Sequence, residues 1–431
     1  FSWLDYSIFL LLGVAMLWAW NMFLAAGPYF QRRFESSPSI LRSFQSAELS
    51  VSTVVNLVSM LLLAKLQAHA SYPKRIMVAL VVNIFTFSLL AISTRHFLSA
   101  SATAYLVFMM ITVALASLGT ALCQNGVFAY VNGFGREEYT QAIMVGQGVA
   151  GVLPCIAQIV SVLSISKGDA GEADGGEVAQ ESGKAAFAYF LTATAVSGIT
   201  LAAFAYLLHR RSAIDGSKSL IDSINDLRGT NHTTSEDNTD DATPIDRANV
   251  PLATLLRKLF WLAAAVFLTF FATMMFPVFT QRILSTHHPS ASGSLPALLR
   301  PAAFIPLAFL VWNSGDLLGR LLPAIPPLSL VHRPRLVFAL SLARCAFVPL
   351  YVLCNISGRG AMIGGVGGDV FYLAIVQFGF GVTNGFVGST CMMGAGEWVE
   401  KEEREAAGGF MGLSLVAGLA AGSVASFLVG G

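Results

Sequence analysis

Long apolar runs alternate with short polar interruptions along almost the whole chain. A membrane-spanning helix needs about 20 mostly apolar residues, and eleven runs reach that length. We predict spans at residues 6–30, 44–66, 75–95, 101–133, 139–166, 185–209, 253–281, 300–324, 335–356, 369–396 and 405–429. The pattern indicates an all-α integral membrane protein embedded in the lipid bilayer.

Two polar segments interrupt this pattern. Residues 167–184 combine acidic residues, lysines and glycines, which is typical of a solvated loop. Residues 210–252 are rich in charged residues, Ser, Thr and Asn, so this segment buries too little apolar surface to fold alone. We therefore predict a mostly disordered linker at 210–252, between a six-helix lobe at 1–209 and a five-helix lobe at 253–431.

Composition supports a protein that is solvated by lipid. Of the 431 residues, 55% are hydrophobic and 12% are charged, whereas soluble domains have about 25% charged residues. The net charge of +1 and the lack of a basic stripe give no support for nucleic-acid binding. The five cysteines form no CxxC pair, so we interpret them as small apolar residues and expect no disulfide, metal or cofactor.

The loops carry a charge bias that predicts orientation. Lys and Arg are more frequent in the loops after even-numbered spans, and positive residues favour the cytoplasm. This places the linker in the cytoplasm and the C-terminus outside the cell or in a lumen. An apolar run begins almost at Phe1 without a charged region before it, so we predict no signal peptide and expect a native start upstream.

The stretch WNSGDLLGR places charge inside the eighth span. Asn313, Asp316 and Arg320 fall within about 60° on one helix face. A lone charge at the bilayer centre costs about 2.5–3.5 kcal/mol on insertion scales, so Asp316 and Arg320 must offset each other and face protein or water. Two interpretations stay open: an ion pair that fixes packing, or a polar site in a central cavity. Gly315 and Gly319 form a small-xxx-small pair suited to close helix contact.

Other spans carry polar residues that could join such a site. Trp20 lies deep in the first span, although an interfacial anchor is the alternative interpretation. The amide-bearing residues are Asn21, Gln124, Asn125, Gln377 and Asn384. Taken singly, each amide is explained by hydrogen bonding between helices. Together, they suit a planar, polar, ring-shaped solute.

Two further features of the sequence bear on function. GPYFQRRF near the end of the first span and FPVFTQRI near the end of the seventh share a proline, a phenylalanine and a Gln-Arg pair. Parallel repeats of this kind underlie two-lobed transporters with a site between the lobes. All seven histidines fall in loops or at helix ends, which leaves little material for a buried proton relay and favours passive exchange.

The chain resembles the equilibrative nucleoside transporter family over nearly its whole length. The resemblance rests on six stretches that occur in the family's order: WAWNMFLAAGPYF, LCQNGVF, QAIMVGQGVAG, FPVFTQRI, WNSGDLLGR and LARCAFVPLYVLCNI. It implies eleven helices in a two-lobed 6+5 arrangement like that of the major facilitator superfamily. It also implies facilitated transport of nucleosides, sometimes nucleobases, by alternating access.

The resemblance also implies roles for individual residues. Asp316 and Arg320 match the pair assigned to the sugar hydroxyls, and Gln124 matches a glutamine placed near the base. The remaining substrate-binding residues that it implies are Trp20, Asn21, Leu24, Asn56, Met275, Phe276 and Asn313, with Thr53 as a further candidate. Asn56 stands where an apolar residue is expected, which bears on substrate range.

Several questions stay open at the level of sequence. A proton-coupled nucleoside or nucleobase carrier is the main alternative. A membrane enzyme is disfavoured because no HExxH motif and no paired intramembrane aspartates occur, and eleven spans are too many for a seven-helix receptor. We expect a monomer that carries purine and pyrimidine nucleosides in the plasma membrane or in a vacuolar or other endomembrane.

Overall fold

The computed structural model describes residues 1–67, 70–165, 175–227, 250–287, 296–362 and 365–430. Within these ranges the regular structure is helical, apart from an isolated β-bridge between Ile283 and Ile356. Helices satisfy every backbone hydrogen bond within one segment, which is the requirement that lipid imposes.

Eleven helical segments of the described chain are long and apolar enough to cross a membrane, which confirms the predicted number of spans. We number them α1–α11. In order, their helices cover Trp3–Ala25 with Gly27–Arg33, Pro38–Lys65, Tyr72–His96, Ala102–Asn132, Glu137–Ile165, Gly175–Leu227, Leu252–Thr273 with Phe276–Thr280, Pro301–Leu321, Pro334–Ala343 with Phe347–Val352, Gly365–Gly394 and Arg404–Gly430. Within α10, Phe371–Phe378 is a π-helix.

Exposed apolar side chains follow the helical period on the outside of the bundle. On α3, Val78, Val81, Phe85 and Ile92 are about half exposed and lie on one face. A water-soluble protein does not present such a stripe, whereas a lipid-facing helix requires one.

The sixth helix is longer than the sequence pattern indicates. The predicted loop at 167–184 is helical from Gly175 onward, and the predicted linker at 210–252 is helical as far as Leu227. In the sequence, Ile214, Ile221 and Ile224 recur at helical spacing there, which favours continuation of the helix. Residues 166–174 and 228–249 lie outside the described residues, and the proposed domain bounds stay a prediction.

The helix breaks in α1 and α7 occur where the two similar stretches lie. The first break is at Ala26, just before Pro28, and the second is at Met274 and Met275, just before Pro277. Proline lacks the amide hydrogen that a continuous helix needs. The shared break is consistent with a repeat that relates the two parts of the chain.

Glycines bring pairs of helices into backbone contact. A Cβ atom added at Gly381 or Gly385 of α10 would overlap a carbonyl oxygen of α8, and one added at Gly319 of α8 would overlap the carbonyl oxygen of Val382. Gly13 and Gly146 make the same kind of contact between α1 and α5. The close helix contact predicted at Gly315 and Gly319 is therefore present, and the helix that packs against these two glycines is α10.

Candidate functional site

A cavity of about 350 Å³ lies between the first six helices, α1–α6 (the N-terminal set), and the last five, α7–α11 (the C-terminal set). Eight helices contribute to its lining: α1, α2, α4, α5, α7, α8, α10 and α11. The side chains that bear amide or charged groups are Asn21, Asn56, Gln124, Gln147, Asn313, Asp316, Arg320 and Asn384.

The Asp316–Arg320 pair forms the charged part of the lining. One helical turn separates the two residues, and Arg320 Nε donates to Asp316 Oδ2 at 2.7 Å. Asn384 Nδ2 of α10 donates to the other carboxylate oxygen at 2.6 Å. Because a carboxylate offers about four lone-pair positions, Asp316 keeps the capacity to accept hydrogen bonds from a solute.

Arg320 also links the two sets of helices. Its Nη1 donates to the carbonyl oxygen of Met144 at 2.9 Å and to Gln147 Oε1 at 3.0 Å, both on α5. Among the described residues, its Nη2 has no hydrogen-bond partner. The guanidinium therefore holds the sets together on one side and keeps a donor for the cavity on the other.

A second buried arginine orients the amide of Asn384. Arg344, in the turn between the two segments of α9, is 1% exposed and donates to Asn384 Oδ1 at 3.1 Å and to Thr273 Oγ1 at 3.2 Å. With its oxygen held by Arg344, Asn384 presents its amide hydrogens to Asp316. Sequence analysis did not assign Arg344 to the site, although an arginine inside an apolar run is a signal that could have found it.

The amides of the N-terminal set differ in how much of their hydrogen-bonding capacity is used. Asn21 Nδ2 donates to the carbonyl oxygen of Ala150 at 2.8 Å, so that amide ties α1 to α5. In the described part of the chain, Gln124 makes no hydrogen bond, and the buried oxygen of Asn56 has no partner. Gln124 and Asn56 are the amides with the most capacity left for a solute.

Most of the predicted site residues lie around this cavity. Those in its lining are Trp20, Asn21, Asn56, Gln124, Asn313, Asp316 and Arg320, together with Thr53. Asn313 Nδ2 donates to the carbonyl oxygen of Phe309 at 2.8 Å, so part of its amide serves its own helix.

Leu24, Met275 and Phe276 lie outside the lining. The break in α7 alters the register there, so Met274 lines the cavity and Met275 is buried. Phe276 stacks on the lining residue Trp312 with ring centroids 4.4 Å apart and therefore supports the cavity wall from behind. Leu24 is 47% exposed, one turn beyond Trp20 on the same face.

Other polar residues have structural partners elsewhere. Gln377 donates to Thr280 Oγ1 at 2.8 Å and to the Tyr372 hydroxyl, and Asn125 accepts from Arg75 Nη1. Neither belongs to the lining. Gln147 does line the cavity. Sequence analysis missed this residue because its stretch on α5 was used only to support the family resemblance.

Contacts between the two sets cluster at the end of the bundle where α4 ends and α11 begins. A Cβ at Gly408 of α11 would overlap the carbonyl oxygen of Phe128 on α4, and Gln141 of α5 donates to the carbonyl oxygens of Arg320 and Leu321 at 3.4 and 3.3 Å. At the other end, Leu24 is exposed on the cavity face of α1. These contacts close the cavity at the first of these ends (the closed end).

The described residues contain no group of three or more His, Cys, Asp or Glu side chains that could hold a metal ion. The chemistry of the cavity is instead that of hydrogen bonds, one ion pair and aromatic faces. This arrangement suits a polar solute held by hydrogen bonds.

Comparison with known proteins supports a transporter. The family model described as Nucleoside transporter matches residues 110–430. The nucleoside transporter FUN26 of Saccharomyces cerevisiae is 32% identical, and the alignment covers 99% of this chain and 84% of that protein. Equilibrative nucleoside transporter 1 of Homo sapiens is 28% identical, with 98% and 95% covered.

Solved structures show the fold. FucP, a major facilitator superfamily transporter in its outward conformation, aligns with a TM-score of 0.57 at 12% identity, covering 99% of this chain and 91% of FucP. The human organic anion transporter MFSD10 aligns with a TM-score of 0.57 at 11% identity, covering 99% and 94%. The predicted eleven-helix fold of the major facilitator type is therefore confirmed.

Proposed function

This chain belongs to the nucleoside transporter family, and we propose that it carries nucleosides across a membrane through the cavity between its two helix sets. Transport is equilibrative: the solute moves down its own gradient and is chemically unchanged. The observation that carries this proposal is the position of the Asp316–Arg320 pair in a cavity that touches both sets.

The pair suits the ribose of a nucleoside. Hydroxyl groups donate to a carboxylate and accept from a guanidinium, and such charge-assisted hydrogen bonds are the stronger ones. Asp316 retains acceptor positions and Arg320 retains Nη2 after their protein contacts are counted. These groups replace the water that the hydroxyls lose on entering the protein.

The nucleobase then lies toward the N-terminal set. Gln124 and Asn56 offer an amide donor and acceptor for its polar edge, and Trp20 offers an aromatic face. The remaining predicted site residues are Asn21, Leu24, Asn313, Met275 and Phe276, of which Phe276 acts from behind the wall through Trp312. A nucleoside bound in this way touches both sets at once.

That bridging gives a route to alternating access. Rocking of α1–α6 against α7–α11 would open the closed end while the solute stays near the middle. Arg320 must then release Met144 and Gln147, and a bound ribose supplies replacement acceptors for its donors. If the closed end is cytoplasmic, as the charge bias predicts, the state described here faces outward, from the plasma membrane or into a vacuolar lumen.

Proton coupling is the second candidate, and the arrangement of the cavity favours it less. Asp316 is compensated by Arg320 at 2.7 Å, so it needs no proton to reside within the membrane. We therefore propose that the carrier works without a proton gradient. Separately, we propose that it works as a monomer.

The test is uptake of radiolabelled adenosine and uridine into proteoliposomes. We expect saturable uptake that stops when inside and outside concentrations are equal and that is unchanged by a pH gradient. External unlabelled nucleoside should exchange with label loaded inside. Accumulation above equality under a pH gradient would replace the equilibrative proposal by the coupled one, and no uptake of either nucleoside by folded protein would contradict both.

A further inference from the structure

A second pocket lies at the closed end of the bundle, away from the transport cavity. Its volume is about 630 Å³. The start of α7, the start of α9 and the loop between α10 and α11 form its walls. Five of its lining residues are basic: Arg257, Lys258, His332, Arg333 and Arg335.

The charge in this pocket is only partly balanced. Lys258 Nζ donates to both carboxylate oxygens of Glu403, at 2.6 and 2.8 Å, and lies 3.8 Å from Glu400. Within the described ranges, Arg257 and Arg333 have no acidic partner. Arg335 has none there either, and its guanidinium lies 5.8 Å from the centre of the Trp261 ring. The arginines therefore leave positive charge in the pocket that the described residues do not neutralise.

Aromatic and apolar groups border the arginines. Trp261 and Trp398 line the pocket and are 39% and 43% exposed, and the Trp398 indole is held by a hydrogen bond to the carbonyl oxygen of Val331 at 3.3 Å. Beside them, Leu256, Phe260 and Leu336 are each more than 40% exposed. Tryptophan next to exposed apolar side chains at the start of membrane helices marks the level where headgroups meet hydrocarbon.

We propose that this pocket binds the headgroup of an anionic phospholipid. Arginine guanidinium groups pair with phosphate in two-point contacts, and basic pockets between membrane helices bind phosphorylated headgroups. The exposed apolar side chains next to the pocket accommodate the start of the acyl chains. A soluble phosphate compound would match the arginines but would leave this apolar border without a partner.

The test uses native mass spectrometry of the full-length purified protein with added lipid. Phosphatidylinositol 4-phosphate is the probe, and phosphatidylcholine is the neutral comparison. Arg333→Gln combined with Arg335→Gln is expected to weaken retention of the anionic lipid by about 30-fold, because each arginine lost at a membrane surface weakens binding about fivefold.

A matched control removes the same amount of charge at the same end of the bundle. Lys65→Gln combined with Lys74→Gln alters two exposed lysines outside the pocket, and it should leave lipid retention unchanged. Nucleoside uptake should persist in both double variants, because none of these residues lines the transport cavity. Equal melting temperatures would show that the variants fold.

Three outcomes would overturn the proposal. Equal retention by wild type and the arginine variant would show that the lipid binds elsewhere. Full displacement by free inositol 1,4-bisphosphate would identify a site for soluble phosphate compounds. Lipid binding that occurs only after deletion of residues 230–248, whose sequence is acidic, would make that segment the native occupant.

Discussion

Replacing Asp316 by asparagine removes one negative charge and keeps the shape of the side chain. Asp316 accepts hydrogen bonds from Arg320 and Asn384 inside the protein, and its side chain is 5% exposed. If it also accepts from the ribose hydroxyls, Asp316→Asn loses a charge-assisted hydrogen bond worth about 1.5–3 kcal/mol. The affinity for adenosine should then fall by about 10- to 150-fold.

The same change has a cost in stability that must be separated from the effect on binding. Breaking a buried ion pair costs about 3–5 kcal/mol, but Arg320 keeps its contacts with Met144 and Gln147, which places the expected loss near the lower bound. Asp369→Asn is a matched control, because Asp369 is a buried aspartate that accepts from the amide of Thr286 and lies outside the cavity. It should lower the melting temperature without weakening adenosine transport.

The assay compares two solutes in the same proteoliposomes. Adenosine carries both ribose hydroxyls, and 2′,3′-dideoxyadenosine lacks them. If Asp316 recognises the hydroxyls, Asp316→Asn should weaken competition by adenosine and leave competition by the dideoxy compound nearly unchanged. An equal loss for the two solutes would refute the reasoning and would reduce the pair to a packing feature.

Three further predictions follow from individual contacts. Asn56→Leu removes a buried oxygen that has no partner among the described residues, so it should raise the melting temperature. It should also weaken competition by adenosine, whose base has an amino group, about tenfold relative to inosine, whose base has none. Unchanged selectivity between the two solutes would place the base elsewhere. Gly385→Ala should lower the melting temperature because its Cβ would overlap the carbonyl oxygen of Asp316. The control Gly198→Ala has open space around it and should add about 0.5–1 kcal/mol of stability. Equal thermal shifts for the two variants would mean that α8 and α10 separate freely. Gln141→Leu removes two hydrogen bonds between the helix sets at the closed end. Spin labels at Lys74 and Lys401 should then report a larger share of long distances between the two labels. An unaltered distance distribution would show that backbone packing alone holds that end closed.

The sequence determined the features of this protein that depend on local composition. The length of an apolar run decides whether a segment crosses the bilayer, so eleven spans could be counted without a structure. Charge inside a span must be compensated, which identified Asp316 and Arg320. Their spacing placed them on one helix face, and the structure has them there as an ion pair.

The tertiary structure alone decided which residues share the cavity and which state the cavity is in. The break in α7 places Met274 in the wall where Met275 was expected, and Gln147 becomes a partner of Arg320 because glycines let α5 and α8 approach closely. The pocket lined by Arg257, Arg333 and Arg335 joins three segments that are distant in sequence. Such features arise from distances between helices, and those distances are set by packing across the whole bundle rather than by the periodicity of any one segment.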